Sequence, residues 1–480
     1  MSFWTFRNLR AASGGSWLQR PPSGEPEDPV VGLSIDTRTI TPGRVFVALQ
    51  GERFDGHDFL ADGCMAGAPL LIIDRPAAAS VIAGEHPEVG VLLVKNTRAT
   101  LARLAAAYRR TLETTRVIAV TGSNGKTTTT RLIDRVLSTR FRGTASVKSF
   151  NNDIGVPLTI LAARPGDQYL VCEVGTSNPG EIAGLARIVE PDIAVITSIG
   201  RAHIENLGSM EAIAREKASL LSYIRPGGMA VVTADSGDLR EWIKPIPNIV
   251  TFGRAEDADL RLTSFEHIES STEPRSEFTI NERTTFPLAL YGQHNAYNAL
   301  AAVAVGRRFG VDDEEIRGAL ASVPSEAMRL QRETIDGIDV FNDAYNASPE
   351  SMVAAITTFG QLTSGAQRRV VIVGDMLELG DEAAGAHREV AECILRTGTI
   401  DLVVTIGAAS LHTAERLARE WAPDRVLMCS HLDDAQAARI VSMTRPGDAV
   451  LVKGSRAMRL ERIPDTLRAR HAAADASSLQ

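Results

Sequence analysis

The stretch VIAVTGSNGKTT, Val117 to Thr128, joins an unbroken apolar run to a glycine-rich turn and then to a row of hydroxyl residues. A four-residue apolar run suits a strand buried on both faces, and the end of such a strand is where a parallel sheet presents its ligand-binding loops. Gly122 and Gly125 let the backbone curl so that its N–H groups face an anion. Lys126 adds a point charge for the β- and γ-phosphates of a nucleotide, and the Thr127 hydroxyl can ligate Mg²⁺. The general phosphate-loop pattern has a glycine five positions before Gly125, where this chain has Val120, so the match is to a shorter T-G-[ST]-N-G-K-T loop. A plain strand-to-helix turn with an incidental lysine is the bland alternative.

Working outward, YLVCEV (169 to 174), IAVITSI (193 to 199) and MAVVT (229 to 233) read as further strands. They alternate with helical stretches such as EAIAREKASLLSY (211 to 223), the pattern of a doubly wound parallel sheet. LRLTSF and SEFTI between 251 and 290 read as an antiparallel extension, closed by a helix over 294 to 309. Upstream, VFVAL (45 to 49), PLLIID (69 to 74) and VGVLLV (89 to 94) predict a small α/β unit ending near a helix over 100 to 111. Downstream, DVFNDAY, RRVVIVG, DLVVTIG, DRVLMC and AVLVKG (339 to 454) predict a Rossmann-like sheet.

The expected fold is therefore α/β in three domains: a small N-terminal α/β domain (1 to 112), a central P-loop-type, mostly parallel domain (113 to 324) and a C-terminal Rossmann-like domain (325 to 480). QRPPSGEPEDP (19 to 29) reads as an exposed loop, and the small polar tail from Ala469 reads as frayed.

Composition agrees with a multidomain globular chain: 480 residues, 44% hydrophobic, 23% charged. With 51 basic and 59 acidic side chains the formal charge is −8, which gives no footprint for nucleic acid or an anionic membrane surface. No apolar run approaches the roughly 18 residues of a membrane span, and the N-terminus lacks a secretory apolar core. Four scattered cysteines, Cys64, Cys172, Cys393 and Cys429, form no CxxC pair and predict reduced thiols in a cytoplasmic protein.

Three further residues stand out. Glu173 ends the strand YLVCEV, where a carboxylate reaches a metal held at the neighbouring loop; a surface salt bridge is the competing reading. His203 lies in the loop beyond the adjacent strand, with an ordinary loop role as its alternative. Lys217 shares a helix face with Ile213, Leu220 and Leu221, so it is either a snorkelling lysine or a desolvated amine, and a neutral amine is what carbamylation by CO₂ requires.

From about residue 30 to 465 the chain resembles the Mur ligases, ATP-dependent ligases of peptidoglycan precursor synthesis. The resemblance rests on DTRTITPGRVFVALQGERFDGHDF (36 to 59), TGSNGKTTTT (121 to 130), NNDIGVPLT (151 to 159) and EVGTSNPGEI (173 to 182). It continues through AHIENLGSMEAIAREK (202 to 217), GQHNAYNALAA (292 to 302), NDAYNASPESM (342 to 352), VIVGDMLELG (371 to 380) and LVKGSR (451 to 456).

It implies that Gly122, Ser123, Asn124, Gly125, Lys126, Thr127 and Thr128 hold the ATP phosphates, with Lys126 catalytic. It further implies that Thr127 and Glu173 hold one Mg²⁺, that His203 and a carbamylated Lys217 hold a second, that Asn295 and Asn298 sit on the adenine side, and that Arg329 and Asp343 close over the nucleotide. For the substrate it implies Thr37 and Arg38 at the UDP end and Asn151 and Asn152 at the muramoyl or diphosphate part. Tyr345, Asn346 and Pro349 match the branch that joins D-alanyl-D-alanine to UDP-N-acetylmuramoyl-tripeptide, with Asn346 as the dipeptide contact and a monomer as the working form. A Mur-type ligase adding a single amino acid, or a P-loop NTPase without ligase activity, are the rival readings. Ser198 and Arg201 depart from the family pattern, which has Asn and Pro at those places.

Overall fold

The computed structural model describes residues 3–21, 30–147, 149–268 and 275–478. Three sheets follow one another along the chain. The first has five strands ordered Ser16–Gln19, Gly90–Leu93, Leu70–Ile73, Val45–Val47 and Leu33–Ser34, parallel except at the first pair. The second has nine strands, with Arg116–Thr121 flanked by Ile193–Ile196 and Tyr169–Glu173 in parallel. Its far edge is the antiparallel run Leu260–His267, Ser276–Ile280 and Thr284–Leu288. The third has six strands, of which only Gln331–Ile335 is antiparallel to its neighbour.

The sheets share cores. Leu101, Leu104 and Tyr108 on the helix Thr97–Thr111 are buried in one apolar cluster with Val47 and Leu92 of the first sheet and Val156 and Ile160 of the second unit. The Tyr108 hydroxyl donates to the Ala163 carbonyl (2.7 Å). Beside it Arg109, 1% exposed, gives Nε and Nη2 to the carbonyls of Val189 and Glu190, both at 2.8 Å. A buried guanidinium there satisfies orphan carbonyls at the end of the helix Glu181–Val189. On the other side Ile204, Leu207 and Ile213 of the second unit are buried together with Phe341, Met352, Met376 and Leu379 of the third.

Several expectations need correction. The edge strands Ser16–Gln19, Gly143–Ala145 and Gln331–Ile335 were not anticipated, because short half-exposed strands lack an apolar run. The helix read over 211 to 223 is α-helical only over Met210–Ala218 and tightens to a 3₁₀ turn over Ser219–Tyr223. The tail is not frayed at Ala469: the helix Arg462–Ser478 runs through it, as its alanines favour. Of the loop read over 19 to 29, residues 22–29 lie outside the described residues.

His387 is fully buried in the third unit. Its Nε2 accepts from the Met376 N–H (3.2 Å) and its Nδ1 meets the Thr413 hydroxyl (3.3 Å), a set that suits the neutral ring. Burial pushes its pKa from 6.5 down to about 4. The unfolded chain therefore binds the extra proton between those values, and stability falls as pH drops from about 6.5 to about 4, by on the order of 3 kcal/mol. Denaturant midpoints measured across that range should show the loss, and His387→Gln should flatten it.

Candidate functional site

The glycine turn sits where the central strand Arg116–Thr121 ends and the helix Lys126–Leu137 begins. Two glycines are demanded by space. A Cβ on Gly122 (φ +149°) would lie 1.9 Å from the Thr197 hydroxyl, and one on Gly125 (φ +83°) 2.2 Å from Asn298 Oδ1. The turn is sewn to the end of the neighbouring strand. Asn124 N–H donates to Ser198 Oγ (2.9 Å), Thr197 Oγ1 donates to the Asn124 carbonyl (2.5 Å), and the Ser123 hydroxyl exchanges 2.8 Å bonds with Gly200 N–H and C=O. Lys126 curls back, giving its ammonium to the carbonyls of Gly122 (2.9 Å) and Ser123 (3.3 Å). Burial holds its pKa below the ordinary lysine value.

Around this turn lies a cavity of about 1220 Å³ whose wall comes from the second and third units. It brings together Ser123 to Thr128, Asn151, Asn152, Glu173, His203, Asn295, Asn298, Arg329, Asp343 and Asn346. Thr37 and Arg38 do not line it: Arg38 is exposed and forks onto Asp36 at 2.9 and 2.7 Å. Lys217 does not line it either, being 1% exposed beneath the surface.

Each of these side chains has a local task. Asn151 Nδ2 donates to Glu173 Oε1 (2.7 Å), whereas Asn152 Oδ1 accepts from the N–H groups of Ile154 and Gly155 and so caps the helix Gly155–Leu161. Asn298 accepts from the Thr129 hydroxyl (3.2 Å) and donates to Asn295 Oδ1 (3.0 Å), and Asn295 donates to the Tyr291 carbonyl (2.8 Å). Asn298 therefore lies against the glycine turn at Gly125, and Asn295 holds it there.

From the third unit, Arg329 Nη2 donates to Thr127 Oγ1 (3.0 Å) while its guanidinium lies 4.3 Å from the Tyr345 ring centroid. Asp343 accepts from Leu330 N–H (2.9 Å) and pairs with the buried Lys453 (2.7 Å), the residue opposite it in the parallel register. Asn346 is exposed, and its carbonyl accepts from Lys453 (2.9 Å).

Sequence reasoning missed Ser149, which sits between Thr127 Oγ1 (3.2 Å) and the Tyr345 hydroxyl (2.6 Å), and Ser348, which donates to Asn124 Oδ1 (2.8 Å). It also missed Glu326, which binds both Arg131 and Arg329. Single hydroxyls in loops carry no pattern of their own. Lys453 was within reach, since LVKGSR places a lysine at a strand end.

Among the described residues no three His, Cys, Asp or Glu side chains gather as a ready cation cage. Glu173 nevertheless fits a cation: it is 1% exposed, and its Oε2 has no hydrogen-bond partner. His203 sits in the left-handed conformation (φ +62°), its Nδ1 paired with Glu378, whose carboxyl the imidazole holds below the usual range. Lys217 is held where its charged form is disfavoured. Burial, then the charge of Lys126, bring its pKa down to about 7 against the opposing pull of Glu216.

Three stacked sheet units, a glycine-lysine phosphate turn and a third unit resting on it define a nucleotide-dependent ligase architecture, and the chain belongs to the Mur ligase family. The family's catalytic domain model matches residues 29–109, its middle domain 120–306 and its glutamate ligase domain 328–456. A Bacillus subtilis relative, UDP-N-acetylmuramoyl-tripeptide--D-alanyl-D-alanine ligase, is 37% identical over 434 residues, covering 90% of this chain and 92% of its own length. The Escherichia coli ligase of the same name is 33% identical over 440 residues, with 90% and 92% covered. The crystal structure of MurF from Acinetobacter baumannii superposes with TM-score 0.83 at 29% identity over 97% of this chain and 98% of that one. MurF from Thermotoga maritima in complex with ADP gives 0.76 at 28% identity, with 92% and 98% covered.

Gly125→Ala should destabilise the second unit by about 3 kcal/mol or more, since the left-handed backbone alone costs a non-glycine residue about 1–2 kcal/mol and the Asn298 clash adds to it. In thermal melts, adding Asn298→Ala should recover only part of the loss, because it removes the clash and leaves the backbone strain.

Proposed function

We propose that this chain is an ATP-dependent amide ligase of peptidoglycan precursor synthesis, joining D-alanyl-D-alanine to the peptide carboxylate of UDP-N-acetylmuramoyl-tripeptide. The observation that carries the reading is the single cavity in which the phosphate turn, Glu173 and the third-unit residues Arg329, Tyr345 and Asn346 meet, in a chain matched along nine-tenths of its length by ligases of that name. We assign the sugar nucleotide to the first unit (1 to 112), ATP to the second (113 to 324) and the amine to the third (325 to 480). The reading is of a cytoplasmic monomer, as the likeness to the Mur ligases implies; the four cysteines are free thiols, and no helix among the described residues is long and apolar enough to cross a membrane.

The chemistry follows. A carboxylate is a poor acyl donor, so its oxygen attacks the γ-phosphorus of ATP and ADP leaves, giving an acyl phosphate. The dipeptide's neutral amine then attacks the carbonyl carbon, and the tetrahedral adduct expels phosphate as the nitrogen loses a proton. Phosphoryl transfer needs positioning and charge neutralisation above all. Lys126, freed from the Gly122 and Ser123 carbonyls, supplies one charge, and Arg329, fixed by Glu326 and the Tyr345 ring, a second. Mg²⁺ adds further neutralisation when bound: Thr127 and Glu173 would hold one ion, and His203 with a carbamylated Lys217 another. Packing of the third unit over the turn keeps water from the acyl phosphate.

ADP release should depend on UDP-N-acetylmuramoyl-tripeptide and D-alanyl-D-alanine together; stimulation by a single amino acid with a shorter UDP-muramoyl peptide would move the chain to another branch of the family. Lys126→Ala should lower turnover by about 1,000-fold without changing the melting temperature, as loss of a transition-state charge does.

For Lys217, a ¹³C carbamate resonance should grow in from labelled bicarbonate. Lys217→Ala should be nearly inactive and partly restored by acetate. Absence of the resonance together with full activity of Lys217→Ala would assign it a structural role.

A further inference from the structure

The loop after the strand Ile193–Ile196 is gripped from the third unit by three carboxylates. Arg201 sends Nη1 and Nη2 to the two oxygens of Glu389 (2.8 and 2.6 Å) and Nε to Glu350 Oε1 (3.1 Å). Glu350 also presses on the backbone of the loop: Arg201 N–H points to its Oε1 (3.3 Å), and a Cβ on Gly200 would stand 2.9 Å from its Oε2. The third carboxylate is Glu378, on His203.

Two elements of the third unit supply the forked pair, the first turn of the helix Pro349–Leu362 and the middle of Ala383–Thr397. Among the described residues two other ion pairs join the two units, His203 with Glu378 in the same loop and Arg131 with Glu326 beside the connecting segment. One peptide bond separates Arg201 from the Gly200 groups that bind Ser123 in the phosphate turn.

We infer that Arg201 is a positioning residue: through Glu389 and Glu350 it docks the third unit against the His203 loop and thereby holds the phosphate turn and the amine-side residues in register. This inference rests on the proposed ligase reading for its catalytic consequence, though the docking itself does not. A bidentate guanidinium–carboxylate fork is the geometry in which a partly exposed pair contributes measurably, and the side chains here are only 23%, 39% and 50% exposed for Arg201, Glu350 and Glu389. The hydrophobic contacts of Ile204 and Leu207 with the third unit are not weakened by salt, whereas the fork is screened.

A reporter is built into the interface, because Glu205 N–H donates across it to the Glu378 carbonyl (3.2 Å). Hydrogen exchange of that amide in the ligand-free, full-length protein reads docking directly. In wild type, exchange should quicken between low salt and about 1 M salt, where charges are screened beyond about 3 Å. Arg201→Ala should exchange about tenfold faster at low salt and lose most of the salt response, and Arg201→Lys, which keeps the charge and loses the fork, should fall between. Glu389→Ala should quicken exchange but no more than Arg201→Ala does, since Glu350 still holds Arg201, and the double variant should be no faster than Arg201→Ala. In the ligase assay Arg201→Ala should lower kcat/KM for the amine about tenfold while leaving the KM for ATP within about threefold. Unchanged exchange in Arg201→Ala, or additive effects in the double variant, would overturn the inference. A wild type that shows the salt-dependent exchange yet releases no ADP would sink the ligase reading and leave the docking standing.

Discussion

Everything in the site is arranged around a backbone with no room for side chains. Gly122 is pressed against Thr197 from the adjacent strand and Gly125 against Asn298 from the helix Gln293–Phe309. A turn so confined keeps its backbone conformation without help from a ligand, which lowers the ordering cost of binding an anion. Ser198 spends its hydroxyl on the turn, and Asn298, packed against Gly125, is held in place by Asn295 and by the Thr129 hydroxyl.

Charges near the turn are held in states that bulk water would not favour. Lys126 and Lys217 are both depressed by burial, and Lys217 feels the charge of Lys126 as well. Two cations in one low-dielectric region are tolerable only with anions beside them. Glu216, buried beside Lys217, is instead used by Gly180 and Ile182 N–H (2.7 and 2.8 Å), and Glu173 has one oxygen on Asn151 and one unpartnered. Carboxylates outnumber basic side chains around the cavity, so the attraction for a polyanion is local to Lys126 and Arg329 beside the turn, in a chain that carries −8 as a whole.

What the sequence made legible follows from what leaves a local pattern. The buried parallel strands are apolar runs, so all three sheets could be read from them, and the phosphate turn combines a strand, two glycines and a lysine in one short stretch. Exposed edge strands such as Gln331–Ile335 leave no apolar run to read, and the end of the last helix mixes helix-favouring alanines with small polar residues and carries no apolar stripe. Of the side chains, Lys217 could be picked out by helix spacing, and it is buried. Ser149, Ser348 and Glu326 could not, since their importance arises only when the third unit is laid against the second.

That last step also explains why Thr37 and Arg38 stand apart. The first unit is joined to the second by a continuous core through Leu101, Leu104 and Tyr108 and by the buried Arg109, contacts that would be costly to break. The third unit meets the second through a smaller apolar patch, the Arg201 fork and single hydrogen bonds at Thr127, Asn124 and Ser149. Hydrogen bonds of that kind contribute about 1 kcal/mol each and are readily exchanged for water or a ligand. If one unit moves to admit a nucleotide, the strength of the two interfaces selects the third, and its polar contacts with the turn are the ones that phosphate oxygens would replace.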